Sequence, residues 1–320
     1  MRAPAPTCEP VLVTGAGGFI GACAVRRLLA RGSQVHALVR PGAEPWRLRG
    51  LPPSLAIHSV DVTDRQAVRE IVRQTAPQAV LHLATHGAYE PQDDGSRILQ
   101  TNVLGTYHIL DAALAAKARV FVSTGTSSEY GYKNEPMRED DRLEPNSVYA
   151  VAKAAQTHLC SLLGRSGDTA VVTFRLFSVY GPWEEPTRLI PTVLRRARAG
   201  QPLELVAPET ARDFVYVDDV LDVLLDFERL AGLRGQVINL GTGVQSTMRD
   251  VVSAVEAALR RPVEVHWHAM PPRRWDTARW QADISRAQAV LGWSPRHTLA
   301  AGVAHMAAWM SEVGDDYGPG

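Results

Sequence analysis

The stretch Val11-Leu12-Val13-Thr14-Gly15-Ala16-Gly17-Gly18-Phe19-Ile20-Gly21 has the pattern of a buried strand, a tight glycine turn and the start of a helix. Its glycines follow the spacing G-x-x-G-x-x-G at Gly15, Gly18 and Gly21. Glycine lets the backbone turn sharply and approach a phosphate, and a helix start offers unpaired N–H groups. The stretch therefore predicts a pyrophosphate site. A glycine-rich hairpin is the alternative, but the helical pattern of 22–29 favours the first interpretation.

The composition is that of an ordinary globular protein. The chain has 320 residues, 45% hydrophobic and 21% charged, and this length favours a large domain with a smaller companion. Because 34 basic residues balance 34 acidic ones, the basic surface of a nucleic-acid-binding protein is not expected. No apolar run is long enough for a membrane span, and the N-terminus lacks the apolar core of a signal peptide. We expect a cytoplasmic protein that binds neither nucleic acid nor membrane.

The cysteines Cys8, Cys23 and Cys160 share no C-x-x-C spacing. This argues against a metal site or a disulfide framework and fits a reducing compartment. We interpret the three cysteines as packing residues.

Short apolar runs alternate with helical stretches through the first half of the chain. The predicted strands are 11–14, 34–39, 56–60, 79–84, 119–123 and 170–176, and the predicted helices are 19–31, 64–75, 96–116 and 147–163. Such alternation predicts an α/β fold with a Rossmann-type, doubly wound parallel sheet, whose ligands bind at the carboxyl ends of the strands. We assign residues 1–176 to this dinucleotide-binding domain.

After Gly181-Pro182 the pattern becomes mixed. It predicts helices at 189–199, 220–230 and 248–260, an apolar run at 213–217 and a strand at 236–240. We assign 177–320 mainly to a smaller, mixed α/β substrate domain, with the strand at 236–240 returning to the main sheet.

Tyr149 and Lys153 are four residues apart, so on a helix both side chains project from one face. Tyrosine is a poor base at its usual pKa of about 10, but a nearby ammonium group and an oxidised nicotinamide favour the phenolate. Tyr149 is therefore a candidate base for a carbinol proton. The alternative for this spacing alone is one buried and one solvated side chain.

A segment rich in hydroxyl groups, Thr124-Gly125-Thr126-Ser127-Ser128-Glu129-Tyr130-Gly131, follows the predicted strand 119–123. A hydroxyl group at the carboxyl end of a strand can hydrogen-bond a reacting oxygen atom. An ordinary Ser/Thr turn is the alternative.

Taken together, several segments resemble the extended short-chain dehydrogenase/reductase family of nucleotide-sugar epimerases, dehydratases and reductases. They are the glycine stretch, His82-Leu83-Ala84, Thr101-Asn102-Val103-Leu104-Gly105-Thr106, the hydroxyl-rich segment, the Tyr149/Lys153 pair, Arg212-Asp213-Phe214-Val215-Tyr216-Val217-Asp218-Asp219 and Asn239-Leu240-Gly241-Thr242-Gly243. The resemblance covers nearly the whole chain.

The resemblance implies a role for each matching position. Thr126 and Tyr149 are the implied catalytic residues together with Lys153, which holds the nicotinamide ribose and lowers the pKa of the tyrosine. The further implied cofactor contacts are Gly15, Gly18, Phe19, Ile20, Gly21, Asp61, Val62, Leu83, Ala84 and Asn102, with Asp61 and Val62 at the adenine. The implied substrate contacts are Thr126, Ser127, Ser178, Arg212, Arg273 and Arg274, whose arginines suit a diphosphate. The helices around 102–114 and Tyr149 resemble those of a family dimer interface, so we expect a homodimer.

Two positions depart from the family pattern. Ser178 stands where the family often has an asparagine that contacts the nucleotide, and serine replaces only part of that contact. Ser127 and Ser128 stand where the dehydratases carry an Asp-Glu pair, while Glu129 lies one place later. A 4,6-dehydratase is therefore disfavoured.

The choice of cofactor depends on the end of the second strand. An NAD enzyme carries an acidic residue there for the ribose 2′-hydroxyl, but this chain has Arg40. Because a guanidinium group attracts a 2′-phosphate, we predict NADP over NAD. A solvated arginine at a strand end is the alternative.

The segment His266-Trp267-His268 invites a metal interpretation. Alternation through Val263 and Val265 places both histidines on one face of a strand, but no third ligand is near in sequence. We expect no metal.

These features predict an enzyme that moves a hydride between a nicotinamide dinucleotide and a sugar carbon of a nucleotide-diphosphate sugar. We favour a 4-epimerase that acts through a transient 4-keto sugar. The alternative is an NADPH-dependent 4-keto-sugar reductase, which Arg40 favours. A dehydratase is less favoured, as is a non-catalytic dinucleotide sensor, since a sensor does not need Thr126, Tyr149 and Lys153 together.

Overall fold

The structure is a computed structural model that describes residues 9–88, 92–271, 277–314 and 317–318. Its strands are β1 (Val11–Thr14), β2 (Val35–Val39), β3 (Ala56–Ser59), β4 (Ala79–His82), β5 (Val120–Thr126), β6 (Ala170–Leu176), β7 (Ser178–Tyr180), β8 (Leu203–Glu204), β9 (Ala211–Arg212), β10 (Phe214–Tyr216), β11 (Gln236–Leu240), β12 (Ser246–Thr247) and β13 (Val265–His266). Its α-helices are α1 (Phe19–Ala30), α2 (Arg65–Thr75), α3 (Gly95–Leu99), α4 (Thr106–Ala115), α5 (Val148–Gly164), α6 (Leu189–Ala199), α7 (Val217–Leu224), α8 (Phe227–Leu230), α9 (Met248–Leu259), α10 (Ser285–Leu291) and α11 (Leu299–Val313). Short 3-10 turns cover Trp46–Leu48 and Ser127–Tyr130, and a π-helical turn, Gln100–Gly105, joins α3 to α4.

The main sheet has the strand order β11-β6-β5-β4-β1-β2-β3, and the pairings along β5-β4-β1-β2-β3 are parallel. Every residue of β1, β4 and β6 is buried, as expected for strands covered on both faces. The edge strand β3 instead alternates half-buried and exposed residues. The predicted Rossmann-type parallel sheet is confirmed, and β11 joins it.

The described chain forms two compact units. The first contains the described residues up to Gly131 together with Arg142–Arg175 and Asp222–Ile238, and the second contains Tyr132–Asp141, Leu176–Leu221 and the described residues from Asn239 onward. One boundary between the two units therefore lies between residues 175 and 176. The other boundaries were not predicted from the sequence. The assignment of substrate binding to the C-terminal region stays a prediction.

Each unit has its own apolar core. In the first, Leu12, Val80 and Phe121 of the sheet pack with Ile71 of α2 and Leu110 of α4. The second core is formed by helices α6, α9 and α11 together with the short strands β7, β8 and β10. None of the helices in the described ranges is both long and apolar enough to cross a membrane.

Four local predictions were wrong. The predicted helix 96–116 is interrupted by the π-helical turn at 100–105. The predicted helix 220–230 breaks because the side chain of Asp226 caps a new helix, accepting from the N–H of Arg229. Strand β5 continues to Thr126 instead of ending at Ser123, consistent with the strand preference of threonine. His268 does not continue the strand of His266, because its φ is +61°.

Gly21 lies in the first turn of α1, where alanine is normally the better helix former. Here a Cβ atom would collide with the carbonyl oxygen of Gly15 and lie 2.9 Å from Cα of Ala16. We therefore expect Gly21→Ala to lower the free energy of unfolding by about 1–3 kcal/mol, the usual effect of overpacking. Urea unfolding measures this. Gly232→Ala is the matched control, because its nearest neighbour would be 3.9 Å away, and equal stability of both variants would contradict the prediction.

Candidate active site

The glycine turn after β1 is shaped by contacts that exclude a side chain. Gly15 has a φ of +64°, and a Cβ atom there would lie 2.6 Å from the carbonyl carbon of Leu83 and 2.7 Å from the amide nitrogen of Ala84. Gly18 is the N-cap of α1 and has no side chain to cap the N–H groups of the first turn, where Phe19 begins the helix. These bare N–H groups and the open backbone fit a pyrophosphate.

A hydrogen-bonded chain under this turn fixes the tautomer of His82. Oγ1 of Thr14 accepts from the N–H groups of Leu83 (3.2 Å) and Ala84 (3.1 Å), so its own hydrogen goes to Nδ1 of His82 at 2.8 Å. Nε2 of His82 then donates to Oγ1 of Thr106 at 2.9 Å. Burial, followed by the charge of Lys153, lowers the pKa of His82 to about 3, so the imidazole is neutral.

Asn102 is fully buried in the π-helical turn and holds the loop after β4. Its Oδ1 accepts from the N–H of His86 (2.8 Å) and the hydroxyl of Thr85 (3.2 Å), and its Nδ2 donates to the carbonyl of His86 (2.8 Å). The side-chain amide of Asn102 therefore hydrogen-bonds the backbone of the loop that starts at Leu83 and Ala84. Its role toward a cofactor stays a prediction.

Asp61 and Val62 follow β3. Oδ1 of Asp61 accepts from the N–H and hydroxyl of Thr63, and Oδ2 accepts from Arg97 at 2.8 Å. Burial opposes ionisation of this carboxyl group, but these hydrogen bonds outweigh it and lower its pKa. Val62 is buried. An ionised acceptor thus stands at the position predicted for the adenine end of the cofactor.

Arg40 directly follows β2 and is exposed. Val39, the last residue of β2, would lie 3.8 Å from a Cβ atom on Gly17 of the glycine turn. Burial lowers the pKa of His86, and the charge of Arg40 lowers it further. Arg40 therefore lies at the end of a strand that borders the glycine turn.

Thr126 ends β5 and begins the 3-10 turn 127–130. Its Oγ1 accepts from the N–H of Ser128 at 3.2 Å, which leaves the hydroxyl hydrogen for another acceptor. Thr126 is half-buried, and Ser127 is buried. The hydroxyl group of Thr126 stands at the carboxyl edge of the parallel sheet, as the sequence predicted.

Tyr149 and Lys153 lie in the first turns of α5, which Ser147 caps through its Oγ and the N–H of Ala150. Tyr149 is half-buried, whereas Lys153 is buried. Nζ of Lys153 donates to the carbonyl of Thr124 at 2.5 Å and to Oε1 of Gln156 at 2.8 Å. Burial lowers the pKa of Lys153 to about 8, although the carboxylate of Glu129 opposes that change.

Glu129 and Arg175 form a buried ion pair that sequence reasoning missed. Nε of Arg175 donates to Oε2 of Glu129 at 2.8 Å, and Oε1 of Glu129 accepts from the N–H of Thr126 (2.8 Å) and the hydroxyl of Thr157 (3.0 Å). Arg175 also donates to the phenol of Tyr130 at 2.9 Å. The available signal was a lone arginine in the apolar run 170–176, since a buried arginine requires an acidic partner.

In the second unit, Ser178 and Arg212 lie on short strands. Ser178 is half-buried and opposes Phe214 in the parallel pair β7–β10. Arg212 is half-buried, donates to the carbonyl of Ala211 at 2.7 Å and lies over the ring of Trp280, 5.3 Å from its centroid. Arg273 and Arg274 lie outside the described residues.

The histidines at 266 and 268 do not form a ligand set. Nε2 of His266 lies 3.1 Å from Oε1 of Glu264, whereas His268 lies beyond the end of β13 and has a left-handed backbone. Over the described ranges, no group of three or more His, Cys, Asp or Glu side chains is arranged to hold a metal ion.

The first unit thus combines a cradle for a pyrophosphate with groups for proton transfer. Thr126 offers a hydroxyl donor, Tyr149 offers a phenol, and Lys153 offers an ammonium group one helical turn from that phenol. These groups suit proton transfer at a carbinol or carbonyl oxygen.

Comparisons with known proteins agree with this arrangement. A model of the NAD dependent epimerase/dehydratase family matches residues 11–241. UDP-glucose 4-epimerase of Mycolicibacterium smegmatis is 32% identical over 92% of this chain and 96% of its own length. dTDP-glucose 4,6-dehydratase of Xanthomonas campestris is 29% identical over 93% and 92% of the two chains.

Among solved structures, the UDP-glucose 4-epimerase of Thermus thermophilus in complex with NAD superposes with a TM-score of 0.82. It is 30% identical, and the match covers 93% of this chain and 97% of that one. The protein is therefore a member of the NAD-dependent epimerase/dehydratase family, among the extended short-chain dehydrogenases/reductases.

Proposed function

We propose that the protein is a nucleotide-sugar 4-epimerase that works with a nicotinamide dinucleotide and passes through a 4-keto sugar. The observation that carries the proposal is the ammonium group of Lys153, buried between α5 and the end of β5, one helical turn from Tyr149. The 4-epimerases among its relatives support the choice of reaction. We also infer that the protein acts in the cytoplasm. The described part of the chain contains no helix that could span a membrane.

The chemistry follows from the charges at the site. The glycine turn at Gly15 and the start of α1 at Gly18 would hold the dinucleotide, whose nicotinamide would supply an acceptor and donor of hydride. The Lys153 ammonium favours the phenolate of Tyr149, which takes the proton from the sugar 4-hydroxyl. The hydroxyl of Thr126 hydrogen-bonds the same oxygen atom, and the Tyr149 phenol returns the proton once the keto sugar has turned its other face.

Substrate binding is proposed for Ser127 and, in the second unit, for Ser178 and Arg212. A guanidinium group suits the two anionic phosphates of a nucleotide-diphosphate sugar because it donates in a planar fork. The guanidinium carbon of Arg212 lies over the indole of Trp280, 5.3 Å from the ring centroid. Arg273 and Arg274 remain predicted members of this set.

The hydrogen bonds of Glu129 are evidence against a water-elimination reaction. A dehydratase needs a free acid and base beside the catalytic threonine, but this chain has Ser127 and Ser128 at those positions. The carboxylate of Glu129 is fully buried and is engaged by Arg175, Thr157 and the N–H of Thr126. We therefore favour hydride return over elimination.

A homodimer is proposed from apolar side chains on two adjacent elements of the first unit. Leu99, Leu104 and Tyr107 around the π-helical turn are exposed, as are Val148 and Val151 of α5, which packs against that turn. Exposed apolar side chains grouped in this way are typical of an interface. The mass of the protein in solution, measured by light scattering, tests this proposal.

Arg40 favours the reductase alternative. Measuring whether the reaction consumes the cofactor distinguishes a reductase from an epimerase. We expect purified protein to interconvert the C4 epimers of a UDP-hexose with no cofactor added, because the hydride returns to the sugar. Denaturing the protein and identifying the released dinucleotide completes the measurement. Consumption of one NADPH for each 4-keto sugar, with no epimerisation, would instead establish the reductase.

Replacing Tyr149 by Phe removes the hydroxyl group that carries the proton. We expect turnover to fall by about 10²–10⁴, the usual contribution of a positioned acid/base, while the dinucleotide still binds. Tyr107→Phe, an exposed tyrosine on α4, is the matched control and retains wild-type turnover. Full turnover in Tyr149→Phe would refute the mechanism. If the unmodified protein bound the dinucleotide but turned over no nucleotide sugar, that result would favour a sensor.

Arg40 is proposed to select NADP over NAD. A hydrogen bond to a charged group contributes about 1.5–3 kcal/mol, so we expect Arg40→Ala to weaken NADP binding at least about tenfold relative to NAD. Calorimetric dissociation constants for both cofactors measure the effect. Arg31→Ala, another exposed arginine of the first unit, serves as control. Tighter binding of NAD by the unmodified protein would disprove the NADP preference.

A further inference from the structure

A buried amide holds the buried ammonium group of Lys153. Gln156 is fully buried on α5, three residues after the lysine. Its Oε1 accepts from Nζ at 2.8 Å, and its Nε2 donates to Oγ of Ser123 on β5 at 2.9 Å. The carbonyl of Thr124 is the second acceptor of Nζ. The ammonium group is thus held from both α5 and β5.

The contact matters because the ammonium group has lost its hydration. Each carbonyl oxygen that touches it stabilises the charged form, and burial has already lowered the pKa of Lys153 to about 8. With the pKa so close to neutral pH, the loss of one acceptor changes the fraction of Lys153 that is charged. If Gln156 only filled space, replacing it by an apolar side chain of the same volume would leave that fraction unchanged.

We propose that Gln156 is a positioning residue that anchors Nζ of Lys153 to β5 and keeps it charged beside Tyr149. This rests on the proposed function, in which the charge of Lys153 favours the tyrosine phenolate. Gln156 touches neither substrate nor reacting atoms in this scheme. It acts through the lysine.

Other titratable groups also face Lys153. They are His82 of β4, Glu129 of the 3-10 turn, Tyr149 and Cys160 of α5, and Arg175 of β6 through its ion pair with Glu129. His82 is neutral, and burial raises the pKa of the Cys160 thiol to about 11, so both are uncharged near pH 8. The charge of Glu129 is shared with Arg175. Gln156 is therefore the direct contact whose change most selectively alters the lysine.

The test compares Gln156→Met with Gln156→Glu. Methionine keeps the volume but removes the acceptor, so the pKa of Lys153 falls and the alkaline limb of the kcat/KM profile moves down by about one pH unit. Glutamate keeps the shape, with one oxygen for Nζ and one for the hydroxyl of Ser123. Its negative charge raises the pKa of Lys153 and moves the same limb to higher pH.

A second readout does not depend on turnover. NAD⁺ and NADP⁺ are titrated calorimetrically into each variant across the same pH range, and the inflection in the dissociation constant is located. The two variants are expected to displace this inflection in opposite directions. Thr75→Val, which removes a buried hydroxyl from α2, is the control and leaves it in place.

Displacement in the same direction in both variants, or in neither, would overturn the proposal and leave Gln156 a packing residue. If Gln156→Met fails to fold, Gln156→Glu against the unmodified protein decides, because only an electrostatic role raises the inflection. The outcome is separate from that of the proposed function. Turnover in Tyr149→Phe would refute the mechanism, yet the binding inflection would still report on Gln156.

Discussion

The burial of one positive charge, on Lys153, governs the construction of the site. An ammonium group removed from water is costly unless nearby groups replace its hydration. Here the carbonyl of Thr124 and the amide of Gln156 accept its hydrogens, and the carboxylate of Glu129 supplies a negative field. That carboxylate is itself buried, so it requires Arg175. This one buried charge thus accounts for a set of polar residues inside an apolar sheet and helix.

Two buried networks lie near this charge, and each holds a segment that is predicted to face a ligand. Glu129 accepts from the N–H of Thr126, so the ion pair with Arg175 also fixes the end of β5. On the other side, neutral His82 links Thr14 at the glycine turn to Thr106 after the π-helical turn. Because each network has its donors and acceptors matched, these segments are held in place by the fold itself.

The sequence predicted those parts whose signal is local. The glycine turn and the Tyr149/Lys153 spacing each lie within a short stretch, as does each strand and helix of the alternating pattern, and the structure has all of them. Glu129 pairs with Arg175 across 46 positions, and Asn102 bonds the backbone of His86 across 16, so the fold is needed to identify these partners. The break at Asp226 was missed because a side chain competed with the helix for the N–H of Arg229.

The same buried charge links the proposed catalysis to stability. The pKa of Lys153 falls from its ordinary 10.5 to about 8 in the folded protein, which corresponds to about 3 kcal/mol against folding while the group is charged. Between about pH 8 and 10.5 the unfolded chain binds the extra proton, so this penalty fades as the pH rises through that window. Near neutral pH the penalty is present in full. In the proposed mechanism the charged form of Lys153 favours the Tyr149 phenolate, and that form is the one that folding disfavours. The acceptors around Nζ stabilise it in the folded protein.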